Sequence, residues 1–244
     1  MPTAEPALRI GTASDSTFGE LPQIAIRDAV RSPHPRRRTM QGMGTDIYGF
    51  IECRWDRWLN EDDRSWHMAI NLAHLYNGRS YVAFGCLFGV RDTTSFRPLA
   101  DHRGLPSDVS REAQSDSDPP DASWITWAEL VAADWEEVAN EVDECVHEYR
   151  RSPDGTWEMH GRNSGLTRFA ELSGVADPHD LYRAGRTYPE GTAWQDGDRL
   201  FRIGRLRRKD AVPDRDWGAV WSVMRTLADL HGDEGVRLVV WFDA

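Results

Sequence analysis

Two aspartates frame the most regular stretches of the chain. Asp46 opens the alternating segment Asp46–Arg54, and Asp243 closes the apolar run Val236–Phe242. Catalytic and ligand-binding groups of sheet proteins gather at strand ends beside loops. A carboxylate pair there suits acid–base work or a divalent cation. The plainer use of each is to cap a turn or pair with an arginine. Arg79, in Asn-Gly-Arg-Ser-Tyr, and Arg91, in Gly-Val-Arg-Asp, flank a short apolar stretch. Two guanidinium groups can fork onto one carboxylate or phosphate, or each can form a local ion pair, for example Arg91 with Asp46 or Asp92. Tyr48 and Tyr81 offer phenols that position a substrate or donate a proton. Ser123 offers a hydroxyl, although loop-to-helix entry also explains it, and Trp124 and Trp241 offer faces on which a ring can stack. The catalytic candidates are therefore Asp46, Asp243 and Tyr48. The substrate-binding candidates are Arg79, Tyr81, Arg91, Ser123, Trp124 and Trp241.

Motifs that would name a reaction are missing from the sequence. It has no P-loop, no GxGxxG after a strand, no HExxH and no GxSxG. His67, His74, His102 and His179 are scattered, so no metal-ligand set is nominated. The three cysteines, Cys53, Cys86 and Cys145, lack CxxC spacing and read as buried free thiols. A net charge of −11 disfavours a general nucleic-acid binder, which needs a basic face to release counterions. All cations but Lys209 are arginine, a bias that reads as coding composition more than phosphate binding. No run approaches the roughly 18 apolar residues of a membrane span, and no signal peptide is evident. A cytoplasmic location without a membrane partner is the default.

The elements that must position these residues follow from periodicity. Residues 1–42 carry six Arg and four Asp or Glu, a charge of +2 against −13 for the rest. They read as a disordered leader, as sequence ahead of a natural start at Met43, or as a basic arm for an anionic partner. Residues 43–244 read as one α+β or mixed α/β domain. Its central sheet holds the first and last strands and is packed by two amphipathic helices. Strands are predicted over 46–54, 66–72 and 236–242, with weak signals at 157–159 and 200–206. Ser80 caps a helix over 81–88 that Gly89 stops. Residues 97–122 form a loop, mobile near 110–121.

Thr126-x-x-Glu129 is a capping box, and it predicts a long helix to about Arg150 with an acidic outer face carrying Glu137, Glu141 and Glu144. That face would serve a basic protein partner. A second helix is predicted from Asp214 or Asp216 to His231.

From Met43 the chain also resembles a family of bacterial and phage proteins that open Met-Gly-Cys-Asp-Ile-His. The matching blocks are Met43-Gly-Thr-Asp-Ile-Tyr48, Gly78-Arg-Ser-Tyr81, Gly89-Val-Arg91, Arg103-Gly-Leu-Pro-Ser-Asp-Val-Ser110, Ala122–Leu130 and Val236–Asp243. The resemblance implies a domain start at Met43 and a site rich in polar groups, but no activity. The family's Cys and His are Thr45 and Tyr48 here, so a metal held by those groups in relatives would be lost. Two functions are therefore expected. One is a hydrolase or transferase acting on a small, polar, anionic molecule. The other is a non-catalytic binding or regulatory protein of phage or accessory origin.

Overall fold

A buried helix is wedged against the end of a sheet, and this arrangement sets out everything near the candidate residues. The computed structural model describes residues 44–54, 65–92, 95–114 and 119–243. The expectations for residues 1–42 and for the centre of the 110–121 loop fall outside the described residues. Met43–Ala244 is set apart as one compact unit.

The fold is α+β with two four-stranded antiparallel sheets, not the single sheet expected. The first contains β1 (Asp46–Arg54), β2 (Trp66–Asn71), β3 (Ser123–Thr126) and β8 (Val236–Asp243) in the order β2-β1-β8-β3. The first and last strands are therefore neighbours. The second sheet contains β4 (His147–Arg151), β5 (Trp157–Arg162), β6 (Ala193–Asp196) and β7 (Arg199–Arg202) in the order β5-β4-β7-β6.

Alternation on β1 sends Ile51 and Cys53 into the main core, together with Val236, Leu238, Val240 and Phe242 of β8. Asp46, Tyr48, Phe50 and Glu52 alternate with them on the other face. Gly49 permits the tight β1–β8 contact, because a Cβ there would fall 2.1 Å from the Val239 carbonyl oxygen. On that other face Arg237 lies buried between Trp66 and Trp124, 3.8 and 5.7 Å from their ring centres. It donates to Glu52 at 2.7 Å and to Asp108 at 2.8 Å. Glu52 also accepts from the Ser110 N–H, and Asp108 from the Trp66 indole. The Gly104–Ser110 block is thus a clamp that ties the long loop to the sheet.

Helix α1 (Tyr81–Phe88) begins where Ser80 accepts from Ala83 N–H and ends at left-handed Gly89. Every residue from Val82 to Phe88 is buried, so α1 is apolar on all sides and only its start meets the surface. Helix α7 (Asp214–His231) packs Trp217, Val220, Trp221 and Met224 into the same core. A smaller core of Val146, Phe169, Ala184, Phe201 and Ile203 lies under the second sheet and the short helices α3 (Leu166–Ser173), α4 (Pro178–Tyr182) and α5 (Ala184–Thr187).

The long helix from Thr126 to Arg150 does not form. The capping box is present, but α2 (Trp127–Ala132) stops when Ala133 turns extended. Residues 135–143 instead run beside residues 204–209. Ala139 N–H donates to Leu206, Asp143 N–H to Gly204, and the Arg208 and Lys209 N–H groups to Glu137 and Trp135. Of the carboxylates expected on an acidic helix face, Glu137 and Glu144 are spent on ion pairs, as is Glu136 beside them, and Glu141 stays exposed. Glu136 takes Arg207 and Lys209, Glu137 takes buried Arg208 at the start of α6 (Arg208–Ala211), and Glu144 takes Arg186. The apolar stripe fails too, since Val131 and Val138 are exposed. No acidic helix remains to receive a partner.

Candidate functional site: an arginine-lined cleft at the start of α1

The opening Gly44-Thr45-Asp46 is gripped residue by residue from either side of α1. Gly44 lies against Tyr81, where a Cβ would fall 2.3 Å from the phenol oxygen. Thr45 N–H donates to that oxygen at 3.1 Å, and Arg91 Nε donates to Thr45 Oγ1 at 2.8 Å. Arg79 forks onto Asp46, with Nη2 donating to Oδ2 at 2.8 Å and Nε to Oδ1. Asp46 pairs directly with Asp243 across β1–β8. The structure therefore brings Asp46, Asp243, Arg79, Tyr81 and Arg91 to one end of the sheet.

The two arginines do not converge on one anion: Arg79 is committed to Asp46 and Arg91 to Thr45. Tyr48 and Trp241 stack on each other one step further along, 6.3 Å between centroids, on the face away from the core. Trp124 holds Arg103, 5.1 Å from its ring centre, and packs near Arg237. Ser123 is buried, donates to Ala100 O at 2.5 Å and accepts from Arg103 N–H, a structural role that leaves it out of the site.

A cavity of about 730 Å³ opens beside this end of the sheet, within the roughly 300–1,000 Å³ of small-molecule sites. It is lined by the strand-to-helix segment that carries Tyr76, Arg79, Ser80 and Tyr81, and by Arg162, Arg215 and Asp216. Arg79 and Tyr81 were legible in the sequence; Arg162, Arg215, Asp216 and Tyr76 were not nominated. Arg79 and Arg162 are each held along one edge, and Arg215 through one nitrogen. Arg162, from β5, forks onto buried Asp143 through Nε at 2.5 Å and Nη2 at 2.6 Å, and His147 Nε2 sits 2.8 Å from the same carboxylate. Arg215 donates from Nη1 to His160 O and lies 3.7 Å from Asp216. Arg79 Nη1, Arg162 Nη1 and Arg215 Nη2 have no hydrogen-bond partner among the described residues. The first turns of α1 and α7 also meet the cavity, adding the positive ends of their helix dipoles to the field.

Burial pushes the Asp143 carboxyl up, but hydrogen bonds from Arg162 and His147 and the Arg162 charge outweigh it and hold the group well below the usual carboxylate range. Burial raises the Tyr76 phenol, offset in part by the Ser80 N–H it accepts. Among the described residues, no group of three or more His, Cys, Asp or Glu is placed to hold a metal ion. Burial pushes the Cys86 thiol up to about 12 and the Cys145 thiol up to about 11. No described helix is long and apolar enough to cross a membrane.

Compared with family models, with curated proteins and with solved structures, the chain matches none of them.

Proposed function

We propose that the cleft at the start of α1 binds a small anionic molecule, with Arg79, Arg162 and Arg215 as the recognition groups. One observation carries the reading: three guanidinium groups, Arg79 and Arg162 each held along one edge and Arg215 through one nitrogen, line one cavity, each with a nitrogen left over among the described residues. Groups held in place before binding give up little side-chain entropy when the ligand arrives. Asp46 acts here as a positioning residue, because its carboxylate orients Arg79. If the molecule is a substrate, the protein is a hydrolase or transferase of a cytoplasmic setting, with Asp216 as the carboxylate placed to exchange a proton and Asp46 and Asp243 beyond it.

The non-catalytic reading, an accessory or regulatory factor, is favoured by the lining itself. Ser80, its serine, is spent capping α1, so no activated nucleophile stands among the described lining residues.

Titration calorimetry with pyrophosphate as the probe tests the binding claim. Saturable binding that weakens at least about tenfold in Arg215→Ala supports it; equal affinity in the two proteins overturns it. Asp216→Asn then separates the readings, since an enzyme loses turnover while keeping affinity.

A further inference from the structure

A second cavity, of about 510 Å³, lies on another flank of α7, and no part of the cleft's chemistry explains it. Its walls are tryptophan: Trp127 and Trp135 come from α2 and the segment after it, and Trp221 from α7. Trp135 and Trp221 are tilted at 57° with centroids 6.4 Å apart. Trp135 spends its indole N–H on Leu130 O at 2.9 Å, which fixes the ring. Trp135 and Trp221 are in contact at that spacing, so the rings offer one aromatic wall of the slot against which a flat ring can lie.

Charge along the slot is polarised. Asp214 lines it from the first turn of α7 and Arg225 from further along the same helix, with Asp210 of α6 a second lining carboxylate. Asp214 and Arg225 are eleven residues apart on one helix, which at about 1.5 Å per residue separates them by roughly 16 Å. Arg225 is exposed, its guanidinium is 5.8 Å from the Trp127 ring centre, and among the described residues no carboxylate pairs with it. The other lining cation, Lys209, is already bound to Glu136 at 2.6 Å. An unpaired cation at the mouth of a ring-walled slot complements an anionic group on an aromatic ligand. The lining aspartates repel that group and so set its direction.

We infer that this slot is a binding site for a flat aromatic carboxylate, its ring packed against the wall of Trp127, Trp135 and Trp221 and its acid at Arg225. The inference does not rest on the arginine cleft.

Three probes that share a ring and differ in charge test it by calorimetry on the full chain: indole-3-acetate, indole and tryptamine. The expected order is indole-3-acetate tightest, indole at least about fivefold weaker and tryptamine weakest. Arg225→Gln should reduce indole-3-acetate to the level of indole, Trp135→Ala should weaken the ring itself, and Arg215→Ala should change nothing. The inference is overturned if none of the probes binds, if acid and neutral ring bind alike, or if Arg225→Gln leaves the acid unaffected. It is overturned equally if Arg215→Ala removes the binding, because the probe would then sit in the arginine cleft.

Discussion

The two cavities flanking the start of α7 are built on opposite principles. In the arginine cleft the cations are paired from behind: Arg79 by Asp46, Arg162 by Asp143, and Arg215 by the His160 carbonyl. The slot is walled by three indole rings and carries Arg225, which has no carboxylate partner among the described residues. The cleft therefore keeps its field in the fold and presents what is left over, whereas the slot keeps shape and leaves its charge for the ligand to satisfy. A run of stacked rings joins them. Tyr76 lines the cleft, Trp135 and Trp221 line the slot, and Trp217 lies between, 4.3 Å from Tyr76 and 5.2 Å from Trp221. Trp217 is fully buried with its indole N–H unpartnered, so packing area, not hydrogen bonding, holds it there.

The largest effect should come from this shared wall. Trp217→Ala should cost about 3–5 kcal/mol in urea unfolding and weaken ligand binding in both cavities. A loss confined to one cavity would break the idea of a common wall. Arg162→Met should cost up to about 3 kcal/mol, because it leaves the buried Asp143 carboxylate with only His147 and the Cys145 N–H, but it should spare the slot.

The same pair sets a pH dependence. The folded Asp143 pKa lies below its unfolded value of about 3.9. The stabilisation is thus present above that value and is lost as pH falls through the depressed folded pKa. The stability difference between the protein and Asp143→Asn should accordingly be constant near neutrality and shrink in acid unfolding below about pH 4. Thr126→Ala removes the cap of α2, which carries Trp127 of the slot, and should cost about 1 kcal/mol by thermal unfolding. Arg225→Gln should be the mildest for stability, under about 0.5 kcal/mol, because an exposed cation with no carboxylate partner among the described residues and a 5.8 Å approach to the Trp127 ring supports little of the fold.

Local signals survived into the structure wherever a short segment decides its own conformation. Ser80 caps α1 and Gly89 stops it, Thr126 and Glu129 close their capping box, and α7 spans Asp214–His231. The alternation of β1 and the apolar run of β8 placed both strands in one sheet, and Asp46 opposite Asp243. What the sequence concealed is tertiary. A helical stripe after Thr126 is overridden because residues 135–143 exchange backbone hydrogen bonds with residues 204–209, some 65 positions away. Helix propensity is a weak prior against such pairing. Half of the cleft was hidden for the same reason. Arg79 and Tyr81 sit beside a visible turn and cap, whereas Arg162 and Arg215 reach the cavity from a second sheet and a distant helix that no local pattern ties to them. Ser123 shows the opposite error, a polar residue that looked available and is buried under Ala100 and Arg103.

The most direct test of the cleft is a crystal of the full chain soaked in tungstate, whose anomalous signal locates a bound oxyanion. A site among Arg79, Arg162 and Arg215 is the predicted result. A well-diffracting soaked crystal with no tungstate there, or with tungstate only at other arginines, would contradict it.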